Sequence, residues 1–244
     1  MDNLRQLKQV LQESVQIVFF GGAGTSTESG IPDFRSADGL YSNQTNRLQS
    51  PEDILSRSFF LKEPEAFYTF YKSNMIHVEA KPNAAHLALA KLEQQGRLQT
   101  VITQNIDGLH QLAGSRKVLE LHGSVHRNHC VKCKKAYPIQ EVIHSAQMVP
   151  TCETCGGIIK PDVVLYEENL DQQVMEQAIS SISKAEVLIV AGTSLTVYPA
   201  AGMIRYFQGH TLVLINKEKT SFDEQADLVI HERVGQVLSE AMKN

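Results

Sequence analysis

The residues whose types and spacing most clearly indicate chemistry are four cysteines in two pairs. Two residues separate Cys130 from Cys133 and Cys152 from Cys155, and eighteen residues lie between the pairs. This spacing falls in the range of four-thiolate zinc sites, in which each pair binds the metal from a tight turn. We predict one structural Zn²⁺, because four protein ligands leave no open coordination position. A rubredoxin-like iron site and a redox-active thiol pair are the alternatives.

A second chemical feature is the glycine-rich run that starts at Gly22, directly after an apolar segment. A buried strand that breaks into glycines offers backbone N–H groups to an anion. The run matches half of a dinucleotide-binding fingerprint, but Thr27 stands where the third glycine would be. It ends on a carboxylate, an aromatic ring and a guanidinium, those of Asp33, Phe34 and Arg35. A phosphate-binding loop alone does not need these groups, so we expect a nucleotide site that also acts on one end of its ligand.

Further polar clusters follow other apolar runs of the chain. In open parallel α/β sheets, ligands bind outside the carboxyl ends of the strands. Each cluster alone would be ordinary turn chemistry, because Asn and Asp are common in turns. Together they predict a long polar crevice formed by Gln104, Asn105, Ile106, Asp107, Gly192, Thr193, Ser194 and Asn216.

His122 ends another apolar run and is therefore expected at the same crevice. A lone histidine is most often a structural residue, and that interpretation suits most others here, including His126 and His129 beside the cysteines. At the crevice, a neutral imidazole could take a proton from a sugar hydroxyl, which typically contributes about 10²–10⁴-fold to a rate. We predict His122 as a general base.

The elements that must position these residues alternate between strands and helices. Most of the apolar, β-branched runs are separated by segments of helical period, such as 84–95, 171–183 and 200–207. This alternation predicts an α/β fold, a Rossmann-like parallel sheet with helices on both faces. The predicted strands are Ile17–Phe20, Thr100–Thr103, Val118–Leu121, Val163–Tyr166, Val187–Ala191, Leu212–Ile215 and Leu228–Ile230.

Two stretches interrupt this rhythm. Residues 38–80 hold helical patterns without a clear strand, and residues 125–160 hold all four cysteines. We predict that the helical insertion 38–80 and the zinc-binding insertion 125–160 form a smaller lobe. Residues 1–37, 81–124 and 161–244 would then form the Rossmann-like nucleotide-binding domain.

Composition excludes some classes of function. The formal net charge of −4 gives no general electrostatic reason to bind nucleic acid or an anionic membrane. The N-terminal segment is polar and amphipathic, and no run of about 18 apolar residues occurs. We expect a cytoplasmic protein, in which disulfides are the weaker interpretation of the cysteines.

Together these motifs resemble the sirtuin family of NAD-dependent protein lysine deacylases. The resemblance runs in order through GAGTSTESGIPDFRS, TQNIDGLH, LHG, the two cysteine pairs and GTSLTVYPA, and indicates a compact bacterial-type member. It implies that NAD is consumed: the acyl oxygen of an acylated lysine attacks C1′ of the nicotinamide ribose, and nicotinamide leaves. A sugar hydroxyl, deprotonated by the histidine, then attacks the acyl carbon. The implied products are free lysine, nicotinamide and O-acetyl-ADP-ribose.

The resemblance also implies roles for individual residues. His122 is the general base, and Asn105 positions ribose and water. Ile106 and Asp107 bind the nicotinamide amide, Phe34 covers the reactive face, and Gln104 contacts ribose. The other residues implied for the NAD site are Gly22, Ala23, Gly24, Thr27, Asp33, Arg35, Gly192, Thr193, Ser194, Asn216 and Arg233. An acetyl-lysine peptide would bind as an extended strand at Val163, Val164 and Val197.

Departures from the family pattern bear on the substrate. The family often shows aromatic-Gly-Glu after the valine pair, where this chain has Glu167 in place of glycine. Members that prefer succinyl or malonyl groups carry Tyr-x-x-Arg in the helical insertion, where this chain has Tyr68 and Tyr71. A buried acyl carboxylate would lack its bidentate arginine, so we expect acetyl and longer apolar acyl groups to be preferred.

Two other functions compete with deacetylation. The first is protein mono-ADP-ribosylation, which uses the same cleavage of NAD with a different acceptor. The second is a non-enzymatic module that senses NAD or ADP-ribose. The presence of both His122 and Asn105 argues against a module that only binds.

Overall fold

A computed structural model of the chain describes residues 3–34, 39 and 49–243. The strands in chain order are β1 (Ile17–Gly21), β2 (Leu98–Thr103), β3 (Val118–Glu120), β4 (Gly123–Cys130), β5 (Ala136–Pro138), β6 (Ile159–Val163), β7 (Val187–Ala191), β8 (Thr211–Ile215) and β9 (Leu228–Ile230). The α-helices are α1 (Asn3–Glu13), α2 (Pro51–Ile54), α3 (Arg57–Lys62), α4 (Pro64–Asn74), α5 (Ala84–Gln94), α6 (Leu109–Leu112), α7 (Ile139–Ile143), α8 (Gln172–Lys184) and α9 (Val234–Ala241). Short 3₁₀ helices span Ala23–Thr25, Thr27–Ser29, Ala200–Tyr206 and Asp223–Gln225.

The larger sheet has six parallel strands in the order β3-β2-β1-β7-β8-β9, which confirms the predicted parallel sheet. Alternate residues of β1 belong to the hydrophobic cores on opposite faces of this sheet. Ile17 and Phe19 pack with α1, α5 and α9 on one face. Val18 and Phe20 pack with α8 and the 3₁₀ helix at Ala200–Tyr206 on the other. Burial on both faces explains why the central strands read as continuous apolar runs.

One predicted strand of this sheet is wrong. The run Val163–Tyr166 does not form a strand of the parallel sheet, because β6 ends at Val163 and pairs antiparallel with β4. Beyond β6, Tyr166 pairs with the backbone on either side of Ser56. An apolar run records that a segment is buried but not which partner buries it.

A second, three-stranded sheet has the order β5-β4-β6 and is antiparallel. It shares one hydrophobic core with the helices α2, α3, α4 and α7. Large aromatic side chains fill this core, among them Phe60, Phe67, Tyr68, Phe70, Tyr71 and Tyr137. The helical and cysteine-bearing segments therefore bury their apolar faces against each other.

No helix in the described ranges is both long enough and apolar enough to cross a membrane.

Candidate functional site

The carboxyl edge of the parallel sheet brings together segments that are distant in sequence. Gln104, directly after β2, donates its N–H to the carbonyl of Gly21 at the end of β1 (2.9 Å). Gly24 donates to the carbonyl of Gly192, which follows β7 (2.8 Å). The turns after β1, β2 and β7 therefore touch each other, as the sheet order requires.

The glycines of the first turn serve this contact. A Cβ on Gly22 would lie 2.8 Å from the carbonyl oxygen of Gly192, and one on Gly24 would lie 2.7 Å from its Cα. Gly192 has φ of +60°, and its Cβ would lie 2.4 Å from the backbone nitrogen of Thr25. Larger residues at these positions would push the two turns apart.

Within the run that was expected to offer N–H groups to an anion, those of Gly22 and Gly24 are engaged inside the protein. The N–H of Gly22 donates to the carbonyl of Ala191 at 3.1 Å, and that of Gly24 donates to Gly192. Thr25 and Ser26 donate within the turn itself, closing short 3₁₀ bonds. Gly22 and Gly24 therefore also pack the first turn against the turn after β7.

Ser26 joins two polar residues from the loop after β2. Its hydroxyl donates to Asp107 Oδ2 at 2.7 Å and accepts from Asn105 Nδ2 at 3.0 Å. Asp107 Oδ1 accepts from the N–H of Leu109 at 2.9 Å, which fixes the carboxylate at the start of α6. Ser26 is fully buried. Sequence reasoning missed it, because its partners lie about 80 residues away and no local pattern marks it.

His122 lies between β3 and β4, with its ring held by the loop after β2. Its Nδ1 is 2.9 Å from the carbonyl oxygen of Gln104. A carbonyl only accepts, so Nδ1 carries the proton and Nε2 keeps a lone pair. Burial lowers the pKa of His122 below 6.5, and the hydrogen bond to Gln104 opposes that shift. The ring is thus a neutral proton acceptor at neutral pH.

The turn after β7 is also tied to the Gln104 loop. Thr193 Oγ1 accepts from Gln104 Nε2 at 3.1 Å and from the N–H of Leu195 at 3.2 Å. Leu195 is buried with φ of +56°, an uncommon backbone conformation for leucine. Ser194 is exposed beside it, and its hydroxyl lies 2.8 Å from that of Thr196.

The structure also describes other predicted NAD-site residues. Thr27 donates its hydroxyl to the carbonyl of Gly24 at 3.0 Å, next to the half-exposed Ala23. Asn216 follows β8 and donates its N–H to Ile230. The remaining positions are Asp33 and Phe34, both half-buried, and Arg233, which is exposed at the start of α9. Arg35 lies outside the described residues.

The start of α9 is linked to the glycine run by a residue that sequence reasoning did not select. The Glu28 carboxylate accepts from the N–H of Gly235 at 2.6 Å. No local sequence pattern predicts this contact, because the partner of Glu28 lies 207 residues further along the chain.

Two histidines, one in α5 and one in α6, form a buried pair. The rings of His86 and His110 lie 4.6 Å apart, and both are inaccessible to solvent. Asn83 caps α5 and donates its side-chain amide to the carbonyl of Thr25 at 2.8 Å. Burial lowers the pKa of His86 to about 4 and that of His110 to about 3. Both rings are therefore neutral at physiological pH.

Two of the residues predicted to bind a peptide lie next to the His122 segment, and the third lies in the segment after β7. Val163 ends β6 opposite Gly123, and Val164 donates its N–H to the carbonyl of His122 at 3.0 Å. Val197 is half-buried and accepts from the N–H of Ala201. Tyr68 and Tyr71 are both buried in the core that the three-stranded sheet shares with its helices, and the Tyr68 hydroxyl donates to the Ile159 carbonyl.

The four cysteine sulfurs form one cluster, with all ligand atoms within 4.8 Å of one another. Sγ atoms of Cys130 and Cys155 are 3.4 Å apart, and those of Cys133 and Cys152 are 3.6 Å apart. A tetrahedral site with Zn–S bonds of about 2.3 Å has sulfur–sulfur edges of about 3.8 Å, so the cluster fits zinc. The Tyr137 hydroxyl donates to Cys152 at 3.1 Å and lowers the pKa of that thiol to about 6.

The turns after the two cysteine pairs have the same form. Lys134 donates its N–H to the carbonyl of Cys130 at 3.0 Å, and Gly156 donates to Cys152 at 2.8 Å. Both residues have positive φ, +64° and +66° respectively. These matched turns direct two sulfurs each toward one point.

Comparison with known proteins gives a consistent result. A family model described as the Sir2 family matches residues 22–199. An NAD-dependent protein deacetylase from Clostridium acetobutylicum is 56% identical over 238 residues, which is 98% of this chain and 97% of that protein.

Solved structures agree over the same span. A Sir2 variant with a deacetylated p53 peptide and 3′-O-acetyl ADP-ribose aligns with a TM-score of 0.90 at 41% identity, covering 98% of this chain and 97% of that one. A complex of Sir2 with a p53 peptide and NAD⁺ aligns with a TM-score of 0.86 at 42% identity, with the same coverage.

Proposed function

This chain belongs to the Sir2 family, in agreement with the sirtuin resemblance of its motifs, and we propose that it is an NAD-dependent protein lysine deacetylase. It transfers the acetyl group of acetyl-lysine to ADP-ribose and releases nicotinamide and O-acetyl-ADP-ribose. The observation that carries the proposal is the His122 ring, buried and neutral, with Nδ1 on the Gln104 carbonyl and Nε2 available as a proton acceptor. It lies beside the loop of Asn105 and Asp107.

In this proposal NAD is a substrate, and it supplies a ribose carbon from which nicotinamide leaves. His122 Nε2 takes the proton of a ribose hydroxyl, while Nδ1–H stays on Gln104 and stabilises the imidazolium. Asn105 orients ribose and water, and Ser26 holds its amide at a fixed distance from Asp107. Such fixed geometry matters because reacting atoms must meet in a narrow range of positions.

The remaining roles are proposed from the resemblance to the sirtuin family. Asp107 and Ile106 would bind the nicotinamide amide, Phe34 would shield the reactive face from water, and Gln104 would contact ribose. We assign the rest of the NAD site to Gly22, Ala23, Gly24, Thr27, Asp33, Arg35, Gly192, Thr193, Ser194, Asn216 and Arg233. The peptide would lie between Val163–Val164 and Val197.

Zinc fits the four-cysteine cluster and serves a structural role. Its ligands would be Cys130, Cys133, Cys152 and Cys155, and four thiolates complete its coordination. In this proposal the four-cysteine segment, residues 130–156, is a zinc ribbon that supports the fold and takes no part in the reaction. We also propose a cytoplasmic location, because thiols such as these stay reduced there.

The test is incubation with NAD and a panel of acyl-lysine peptides, with nicotinamide release and peptide mass read together. We expect loss of the acetyl group, strict dependence on NAD and formation of O-acetyl-ADP-ribose. A protein or peptide that gains ADP-ribose instead would replace this proposal with mono-ADP-ribosylation. Binding of NAD without any turnover would replace it with a sensing module.

The same panel tests the acyl preference. Tyr71 occupies the position where an arginine would pair with an acyl carboxylate, and it is buried among aromatic rings. We expect kcat/KM for acetyl and longer apolar acyl peptides to exceed that for succinyl peptide. The reverse order would contradict this part of the proposal.

A further inference from the structure

The segment that follows β6 satisfies most of its backbone hydrogen bonds inside the protein. Val164 donates its N–H to the carbonyl of His122 at 3.0 Å. Leu165 is paired on both sides by Glu168: its N–H donates to the Glu168 carboxylate at 2.9 Å, and its carbonyl accepts the Glu168 N–H at 3.0 Å. The N–H groups of Val164 and Leu165 are therefore not available to a bound peptide.

Tyr166 is paired in the same way with the helical insertion. Its N–H donates to the carbonyl of Leu55 at 3.0 Å, and its carbonyl accepts the N–H of Arg57 at 3.0 Å. Within residues 3–34, 39 and 49–243, nothing hydrogen-bonds to the carbonyl of Val164 or to the N–H and carbonyl of Glu167. The N–H that remains for an extended peptide on this segment is therefore that of Glu167, and the carbonyls of Val164 and Glu167 have both lone pairs available.

The backbone of Glu167 is held in an unusual conformation by its own side chain. Its φ is +73°, the left-handed region, which costs a residue with a Cβ roughly 1–2 kcal/mol. Its carboxylate accepts two hydrogen bonds from Ser58, one from the N–H and one from the hydroxyl, both at 2.8 Å. The side chain thus anchors Glu167 to α3 and holds its backbone in a conformation that glycine would adopt without such a contact.

We propose that Glu167 is a positioning residue for the peptide substrate: the Glu167–Ser58 contact holds the Glu167 backbone groups in the orientation that a peptide strand needs. This inference rests on the proposed deacetylase function and on the peptide position at Val163 and Val164. When the contact is lost, the Glu167 backbone adopts the conformation that binds peptide for only part of the time. The apparent affinity for peptide then falls by that fraction.

Three substitutions at one position separate backbone strain from the side-chain contact. Glu167→Ala removes the contact and keeps the strain, so we expect the KM for acetyl peptide to rise about five- to tenfold. Glu167→Gly removes both, and we expect a rise of about two- to threefold. Glu167→Gln keeps an oxygen that accepts from Ser58, and we expect a KM within about twofold of the unmodified protein. The KM for NAD and kcat should stay unchanged in all three.

Ser58→Ala tests the contact from the other side, and its loss of one donor should raise the peptide KM about twofold. Equal changes in the peptide KM, the NAD KM and kcat would overturn the proposal, because they would indicate general loss of structure. A peptide KM that is unchanged in Glu167→Ala would also overturn it. If Glu167→Gln is as impaired as Glu167→Ala, and only with peptides that carry basic residues, the carboxylate contacts the peptide directly and the proposal is wrong.

Thermal denaturation of each variant checks that it folds. If Glu167→Ala does not fold, Glu167→Gly and Ser58→Ala decide the question. Failure of the proposed function gives a different result: the unmodified protein would release no nicotinamide with acetyl peptide. In that case the Kd for a fluorescent acetyl peptide, measured by anisotropy, must show the same order of variants or the inference fails as well.

Discussion

The zinc ribbon draws its four ligands from two short turns, each of which fixes two sulfurs by its own backbone hydrogen bonds. The site around His122 draws on turns after several strands, and no turn holds more than a part of it. In the ribbon, local sequence determines the local geometry. At the sheet edge, the order of the strands determines which turns meet.

This comparison predicts that metal removal has the largest effect on the molecule. Structural zinc contributes apparent binding free energies of about 10–16 kcal/mol in zinc-finger peptides. We expect Cys130→Ser, or removal of zinc by a chelator, to unfold the small lobe and abolish deacetylation indirectly. Metal analysis should find about one zinc per chain in the unmodified protein. Full activity and an unchanged melting transition without metal would contradict a structural role.

The buried histidines behind the sheet edge should make stability depend on pH. Their pKa values, about 4 for His86 and about 3 for His110, lie below the unfolded value of about 6.5. As the pH falls, the unfolded chain therefore binds protons before the folded protein does. The contribution of these histidines to the free energy of unfolding is fully present above pH 6.5 and is lost as the pH falls toward 4 and then 3.

Denaturant unfolding between pH 7 and pH 5 measures this effect, which His110→Phe should reduce. A variant whose stability falls with pH as steeply as that of the unmodified protein would remove His110 as the cause.

Removal of the proposed base tests the distributed site directly. His122→Ala should lower kcat by about 10²–10⁴-fold, because no neighbouring group then takes the ribose proton. The matched control is His210→Ala, an exposed histidine after the 3₁₀ helix Ala200–Tyr206. NAD binding, measured by calorimetry, should persist in both variants. Turnover retained by His122→Ala would remove this residue from its role.

The smallest of these effects concerns the link between two turns. Ser26→Ala leaves the Asn105 amide and the Asp107 carboxylate without their shared partner. An unsatisfied buried polar group costs about 1–3 kcal/mol of folding stability, so we expect the melting temperature to fall. We also expect a lower kcat/KM, because Asn105 is no longer held beside Asp107. Ser29→Ala in the same run is the control, since its hydroxyl contacts Asn83 instead. Equal loss in both variants would indicate damage to the run as a whole.

The two regions also differ in how far sequence could predict them. For the ribbon, the spacing of Cys130, Cys133, Cys152 and Cys155 predicted the cluster that the structure contains. For the sheet, apolar runs predicted the parallel strands, because burial on both faces leaves a composition that can be read locally. The run Val163–Tyr166 shows the limit of this reasoning, since Val163 and Leu165 are buried in the core that the smaller sheet shares with the helical insertion and not in the parallel sheet.

The sequence by itself determined the strands of the parallel sheet, the cysteine cluster and the family, because each depends on residue types at short, regular spacings. The tertiary structure decided that Gly22 and Gly24 pack against Gly192, that Ser26 joins Asn105 to Asp107, and that Glu167 keeps a glycine-like conformation through Ser58. These contacts join residues that are distant in the chain. They exist only because strand order and lobe packing bring those residues together, and spacing along the sequence does not record that proximity.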